Sequence, residues 1–128
     1  MPMQDPAPLR GLILFAHGSR DPQWRAPMEA VAARAAALEP ATAVRCAYLE
    51  LMEPDLPGCV AALVALGVGT ITIVPMFLGV GRHAREDLPV LLAELRLRHP
   101  QVGLELRPAI GEDARVVDIL ARIALAGA

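Results

Sequence analysis

Two histidines carry the clearest chemistry in this sequence. His17 stands in Phe15-Ala16-His17-Gly18-Ser19-Arg20, and His83 in Leu78-Gly79-Val80-Gly81-Arg82-His83-Ala84-Arg85. Each follows an apolar stretch and has glycine and arginine beside it. A neutral imidazole accepts protons near pH 7 and binds divalent transition ions. Arginine grips an anion through two parallel hydrogen bonds. The pattern therefore points to a two-histidine metal site with an anionic ligand nearby. Glu50, in Tyr48-Leu49-Glu50-Leu51-Met52-Glu53-Pro54, offers a carboxylate of three readings: a general base, a group that orients an imidazole, or a solvated strand-end acid. The histidines lie too far apart for any local ligand motif, so their pairing is a statement about the fold.

The elements that must position them follow from the apolar pattern. Residues 10–16 form a continuous apolar run, which predicts a strand buried on both faces. Helical spacing follows from Gln23 to about Leu38, with Asp21 and Pro22 as its start and Pro40 as its stop. Thr42 to Leu49 reads as a second strand, and Asp55 to Leu66 as a capped helix closed by Gly67. Thr70 to Val74 is a third strand ended by Pro75. A loop from Met76 to Arg82 then leads into a helix from about Ala84 to Arg98. Gly103 to Leu106 predicts a short strand near an edge. Glu112 to Ala126 predicts a last helix with Val116, Ile119, Leu120 and Ile123 on one face. This βαβαβαβα order predicts an α/β fold with a parallel sheet of about four strands and helices on both faces. In such sheets ligands bind beyond the carboxyl ends of the strands, where His17, Glu50 and His83 all fall.

Composition narrows the function. The 128 residues suit a single domain, 1–128, with residues 1–8 as a flexible tail. That tail lacks the features of a signal peptide, and no apolar run nears the roughly 20 residues of a membrane span. A cytoplasmic protein is expected, with no membrane role. A net charge of −2 argues against a nucleic-acid partner. All twelve basic side chains are arginine, which removes lysine Schiff-base chemistry. Cys46 and Cys59 sit in apolar surroundings and read as small core residues. Ser19 can bind a carboxylate or cap the next helix, and Trp24 can shield the site or anchor that helix. His99 suits a helix C-terminus.

The segments around His17, Glu50 and His83 together resemble the three signature segments of the sirohydrochlorin chelatases, closest to the short cobaltochelatase form. The resemblance spans essentially the whole chain, and the His83 segment, running through Ala84-Arg85-Glu86-Asp87-Leu88-Pro89, is the most distinctive. It implies a class II chelatase fold, equivalent to one flavodoxin-like half of a two-lobed enzyme, that forms a homodimer. It implies insertion of a divalent metal into sirohydrochlorin on the way to cobalamin, sirohaem or a nickel tetrapyrrole. The metal is a substrate, Co²⁺ first with Fe²⁺ or Ni²⁺ as alternatives, and no organic cofactor is expected. Carried over by position, His17 and His83 are the metal ligands and proton acceptors, and Glu50 assists them.

Sirohydrochlorin bears several carboxylates, which Arg20, Arg82, Arg85 and Ser19 are placed to bind. Gly18, Gly79 and Gly81 allow backbone to approach a flat ring. Met76, Phe77, Leu78 and Val80 offer an apolar surface for the ring or a second copy. Two rival readings use the same residues. A metal or tetrapyrrole carrier needs the same ligands without turnover. A histidine phosphatase needs arginine directly before its histidine, and Ala16 stands there instead.

Overall fold

The computed structural model describes residues 9–126; the tail expected over residues 1–8 lies outside them. Strand β1 (Leu9–Ala16) is flanked by β2 (Thr42–Tyr48) and β3 (Val68–Pro75), and β4 (Gly103–Leu106) pairs with β3. The order is β2-β1-β3-β4, with every pairing parallel. Helix α1 (Arg25–Leu38) follows β1, α2 (Leu56–Ala65) follows β2, α3 (Arg82–Arg98) follows β3 and α4 (Ala114–Ala126) follows β4. The expected α/β architecture and the edge position of the fourth strand are both present.

Alternation along the strands sorts the sheet into two faces. Ile13, Phe15, Ala47, Ile71 and Ile73 pack on one side with Leu56, Cys59, Val60 and Leu63 of α2 and with Leu88, Leu92 and Leu95 of α3. Leu14, Ala16 and Tyr48 point the other way and are buried too. Helix α1 lies on that side, mainly against β2. The Cys46 thiol there reaches the Met28 carbonyl at 3.6 Å. The expectation that β1 is buried on both faces holds for its C-terminal half, which feeds the site.

Several boundaries move for local reasons. The helix expected from Gln23 splits into a 3-10 turn, Pro22–Trp24, and α1. Asp21 caps that turn by accepting from the Gln23 N–H at 2.9 Å. Asp55 caps α2 through the Gly58 N–H at 2.8 Å, as its position predicted. Helix α3 starts at Arg82, two residues early, because Gly81 takes the extended N-cap conformation. His83 thus sits in the first helical turn and not at the end of a loop.

The last helix departs most from expectation. Val116 is partly buried, but Ile119, Leu120 and Ile123 are 50%, 43% and 61% exposed, and α4 contains no buried residue. It packs chiefly on the short turn Ile110–Glu112. That turn is fixed in place: the Gly111 N–H donates to the Phe77 carbonyl at 3.0 Å, and a Cβ on Gly111 would run into the Leu78 backbone. A helix launched from this anchor stands away from its own sheet.

Candidate functional site

Three backbone hydrogen bonds extend the sheet past its strands and set the site's frame. The Leu49 N–H donates to Ala16 O at 2.8 Å, Met76 to Phe15 O at 2.7 Å and Arg107 to Ile73 O at 2.9 Å. The segments holding His17, Glu50 and the Met76–Gly81 loop therefore leave the sheet in register, at one edge.

His17 and Glu50 meet there. His17 Nδ1 lies 3.4 Å from Glu50 Oε1, a long hydrogen bond, and both side chains are exposed. The same oxygen accepts the Gly18 N–H at 2.9 Å. A proton on Nδ1 facing the carboxylate leaves Nε2 with its lone pair, the tautomer a metal ligand needs. The Trp24 indole donates to the His17 carbonyl at 2.7 Å, so Trp24 anchors the strand end. Ser19 Oγ accepts the Asp21 N–H at 3.0 Å, a local turn that positions the capping residue, and the cap itself is Asp21 and not Ser19.

Gly18 requires a correction. Its missing Cβ makes room for protein, since a methyl group there would strike the Glu50 carbonyl. It locks the His17 and Glu50 segments together and does not free backbone for a ring. Added Cβ atoms on Gly79 and Gly81 meet nothing, so open space does adjoin those two. Glu50 is followed by Leu51 at φ 67°, a left-handed conformation that costs a bulky residue about 1–3 kcal/mol. The turn bearing the carboxylate is held under strain.

Phe77 is also not the exposed platform its loop position suggested. Its ring is 8% exposed, packs edge-on to Phe15 at 6.3 Å and lies 4.6 Å from the His17 imidazole, centroid to centroid. It turns inward because its carbonyl is held by Gly111. Leu78 projects at 72% exposure, while Met76 and Val80 are half-buried. His83 lines a cavity of about 200 Å³ with Leu49, Phe77, Asp87 and Leu88. The structure therefore places His17 beside Glu50, and Phe77 touches the His17 ring and lines the cavity that holds His83. Among the described residues, no cluster of three or more His, Cys, Asp or Glu side chains is arranged to hold a metal.

The arginines divide. Arg82 pairs with Glu86 one turn along the helix at 3.3 Å, both exposed. Such a pair holds its charge only loosely. Arg20 and Arg85 have no ion-pair partner among the described residues. Arg85 faces a cavity of about 210 Å³ shared with Arg107 at the end of β4. Sequence reasoning passed over Arg107, although the strand-end logic that found His17 applies equally to it. Gly111, the anchor of the His83 loop, has no signal in the sequence.

A parallel four-stranded sheet with its polar groups at the carboxyl edge defines the class: an α/β protein that acts at its strand ends. Residues 11–125 match the CbiX family, and the chain belongs to it. The sirohydrochlorin cobaltochelatase of Sulfolobus acidocaldarius is 32% identical over 110 residues, covering 86% of this chain and 85% of the relative. The crystal structure of the CbiX protein from Marinobacter aquaeolei VT8 superposes with a TM-score of 0.79 at 33% identity, over 92% of this chain and 96% of that one. The sirohydrochlorin chelatase SirB of Bacillus subtilis subspecies spizizenii, solved with cobalt, gives 0.77 at 26% identity, over 92% of this chain but only 50% of SirB.

Proposed function

We propose that this protein inserts a divalent metal, cobalt by preference, into sirohydrochlorin. The observation that carries this is the His17–Glu50 arrangement: a carboxylate faces Nδ1 and leaves Nε2 of a largely exposed imidazole for a metal. Insertion requires the ring to lose two pyrrole protons while the ion sheds water. His17 and His83 supply neutral nitrogens that bind Co²⁺, Fe²⁺ or Ni²⁺ and accept those protons. Two imidazoles leave coordination positions for the ring nitrogens. Glu50 is a positioning residue that fixes the His17 tautomer and stabilises the imidazolium formed when His17 takes a proton. Arg20, Arg82 and Arg85, with Arg107 beyond them, match the carboxylates of the ring, and Leu49, Leu51 and Leu78 present exposed apolar surface to its flat body.

Support comes also from the names borne by the relatives and from the cobalt bound to SirB. The working unit is a homodimer, in which two copies match the length that SirB holds in one chain. The test is sirohydrochlorin absorbance over time with Co²⁺, Fe²⁺ or Ni²⁺ against metal-only controls. A protein-dependent shift to the metallated spectrum is expected, fastest with cobalt. His17→Ala and His83→Ala should each abolish that shift with circular dichroism unchanged. Ring binding without acceleration would make the protein a carrier, and near-normal turnover by both variants would remove the site.

A further inference from the structure

We propose that Asp87 is the positioning residue of His83: its carboxylate takes the N–H of one imidazole nitrogen and leaves the lone pair of the other for the ion, the service that Glu50 gives His17. The inference rests on the two-histidine reading above and supplies the partner that its second histidine lacks.

Place on the helix carries the argument. Helix α3 begins at Arg82, so His83 and Asp87 stand at i and i+4, neighbours on one face with about 5–6 Å between their Cβ atoms. A helical side chain leans back over the turn before it, which carries Asp87 toward His83. Both residues line the cavity of about 200 Å³ beside Phe15, Leu49 and Phe77, and Asp87 is the one acid in its wall. The pair is exposed and is not closed in the structure. At this spacing a rotamer change of either side chain brings the two together. Hydrogen bonds at reacting sites often tighten only once the reactants are bound.

Other uses of this carboxylate fail. An acid in the first turn of a helix complements the charge of its N-terminus, but the first turn of α3 holds none and Asp87 lies beyond it. An acid on a helix surface commonly pairs with arginine one turn away. Glu86 does so with Arg82 at 3.3 Å, while Asp87 has no ion-pair partner among the described residues. Its helical neighbours at i−3, i+3 and i+4 are Ala84, Val90 and Leu91. His83, at i−4, is the one polar side chain among the four. A neutral imidazole left to itself moves its proton between two nitrogens, and only one form offers a given nitrogen to a metal. A carboxylate on the other nitrogen fixes the tautomer and makes the ligand more basic. With Glu50 and Asp87 in these roles, both histidines meet the ion in a fixed form.

The experiment is the tautomer of His83 in the full-length chain, read by heteronuclear NMR of isotope-labelled histidine at a pH about two units above the ordinary imidazole value. It needs neither macrocycle nor metal and so stands apart from the absorbance assay. The chain has three histidines, and the His83 signals are those lost in His83→Ala. The wild type should hold His83 in one tautomer. Asp87→Ala should show both, with circular dichroism and the His17 signals unchanged, and Asp87→Glu should restore the single form. In the insertion assay Asp87→Ala should lower kcat about 10–100-fold with the KM for sirohydrochlorin unchanged. Glu94→Ala, which removes an exposed acid farther along α3, should leave both readings at their wild-type values. A wild-type His83 with the tautomer mixture of a free histidine overturns the assignment, and so does an Asp87→Ala protein that keeps a single tautomer. A fixed tautomer without any insertion activity overturns the proposed function and leaves Asp87 as the partner of His83.

Discussion

Glu50 serves two neighbours through one oxygen, and the two services can be separated by substitution. Glu50→Gln keeps an acceptor for the Gly18 N–H but removes the charge facing His17; Glu50→Ala removes both. Orienting partners of metal-binding histidines are worth about 10–100-fold in affinity or activity. Glu50→Ala should therefore slow insertion by about that factor, with Glu50→Gln between it and wild type. A pH profile of kcat whose acidic limb moves in both variants would identify the effect as acting through His17; an unmoved profile would mark Glu50 as structural only. A second residue-scale expectation concerns Cys59. Burial pushes its thiol from 9.0 to about 11, so the folded chain keeps a proton that the unfolded chain loses between those values. Stability should then fall as pH rises from about 9 to 11. Cys46 and Tyr48, also raised mainly by burial, act in the same direction. Urea midpoints across that window should decline in the wild type and decline less in Cys59→Ala.

At the scale of elements, the loop between β3 and α3 depends on a contact far along the chain. Gly111→Ala would force a methyl group into the Leu78 backbone, and such overpacking costs about 1–3 kcal/mol. We expect a lower urea midpoint and an impaired His83 site, since the displaced loop carries Phe77 and leads into the first turn of α3, where His83 sits; an unchanged midpoint would dissolve the clamp. This contact also shows where sequence reading stops. The four strands, their parallel order and the caps at Asp21 and Asp55 were legible because apolar runs and capping residues are local signals. The meeting of His17 with Glu50 followed from topology, which places successive strand ends on one edge. Phe77 was not legible, because a short loop has no periodicity to say which side chain turns inward. Helix α4 was legible as an amphipathic helix, but a stripe does not name the surface that covers it.

For the whole molecule, the arrangement gathers its exposed chemistry at one end and its uncovered apolar helix beside it. On the proposed homodimer, insertion should be measured across protein concentration, and a rate per chain that rises with concentration is the expected outcome. The scarcity of donors at the site has a further meaning. Under the proposed function, with no group of three acidic, thiol or imidazole side chains arranged among the described residues, an ion meeting His17 or His83 would be released readily. Its occupancy would then follow the free ion around the protein. Such a chain would suit throughput, with the four nitrogens of a macrocycle as the stronger trap.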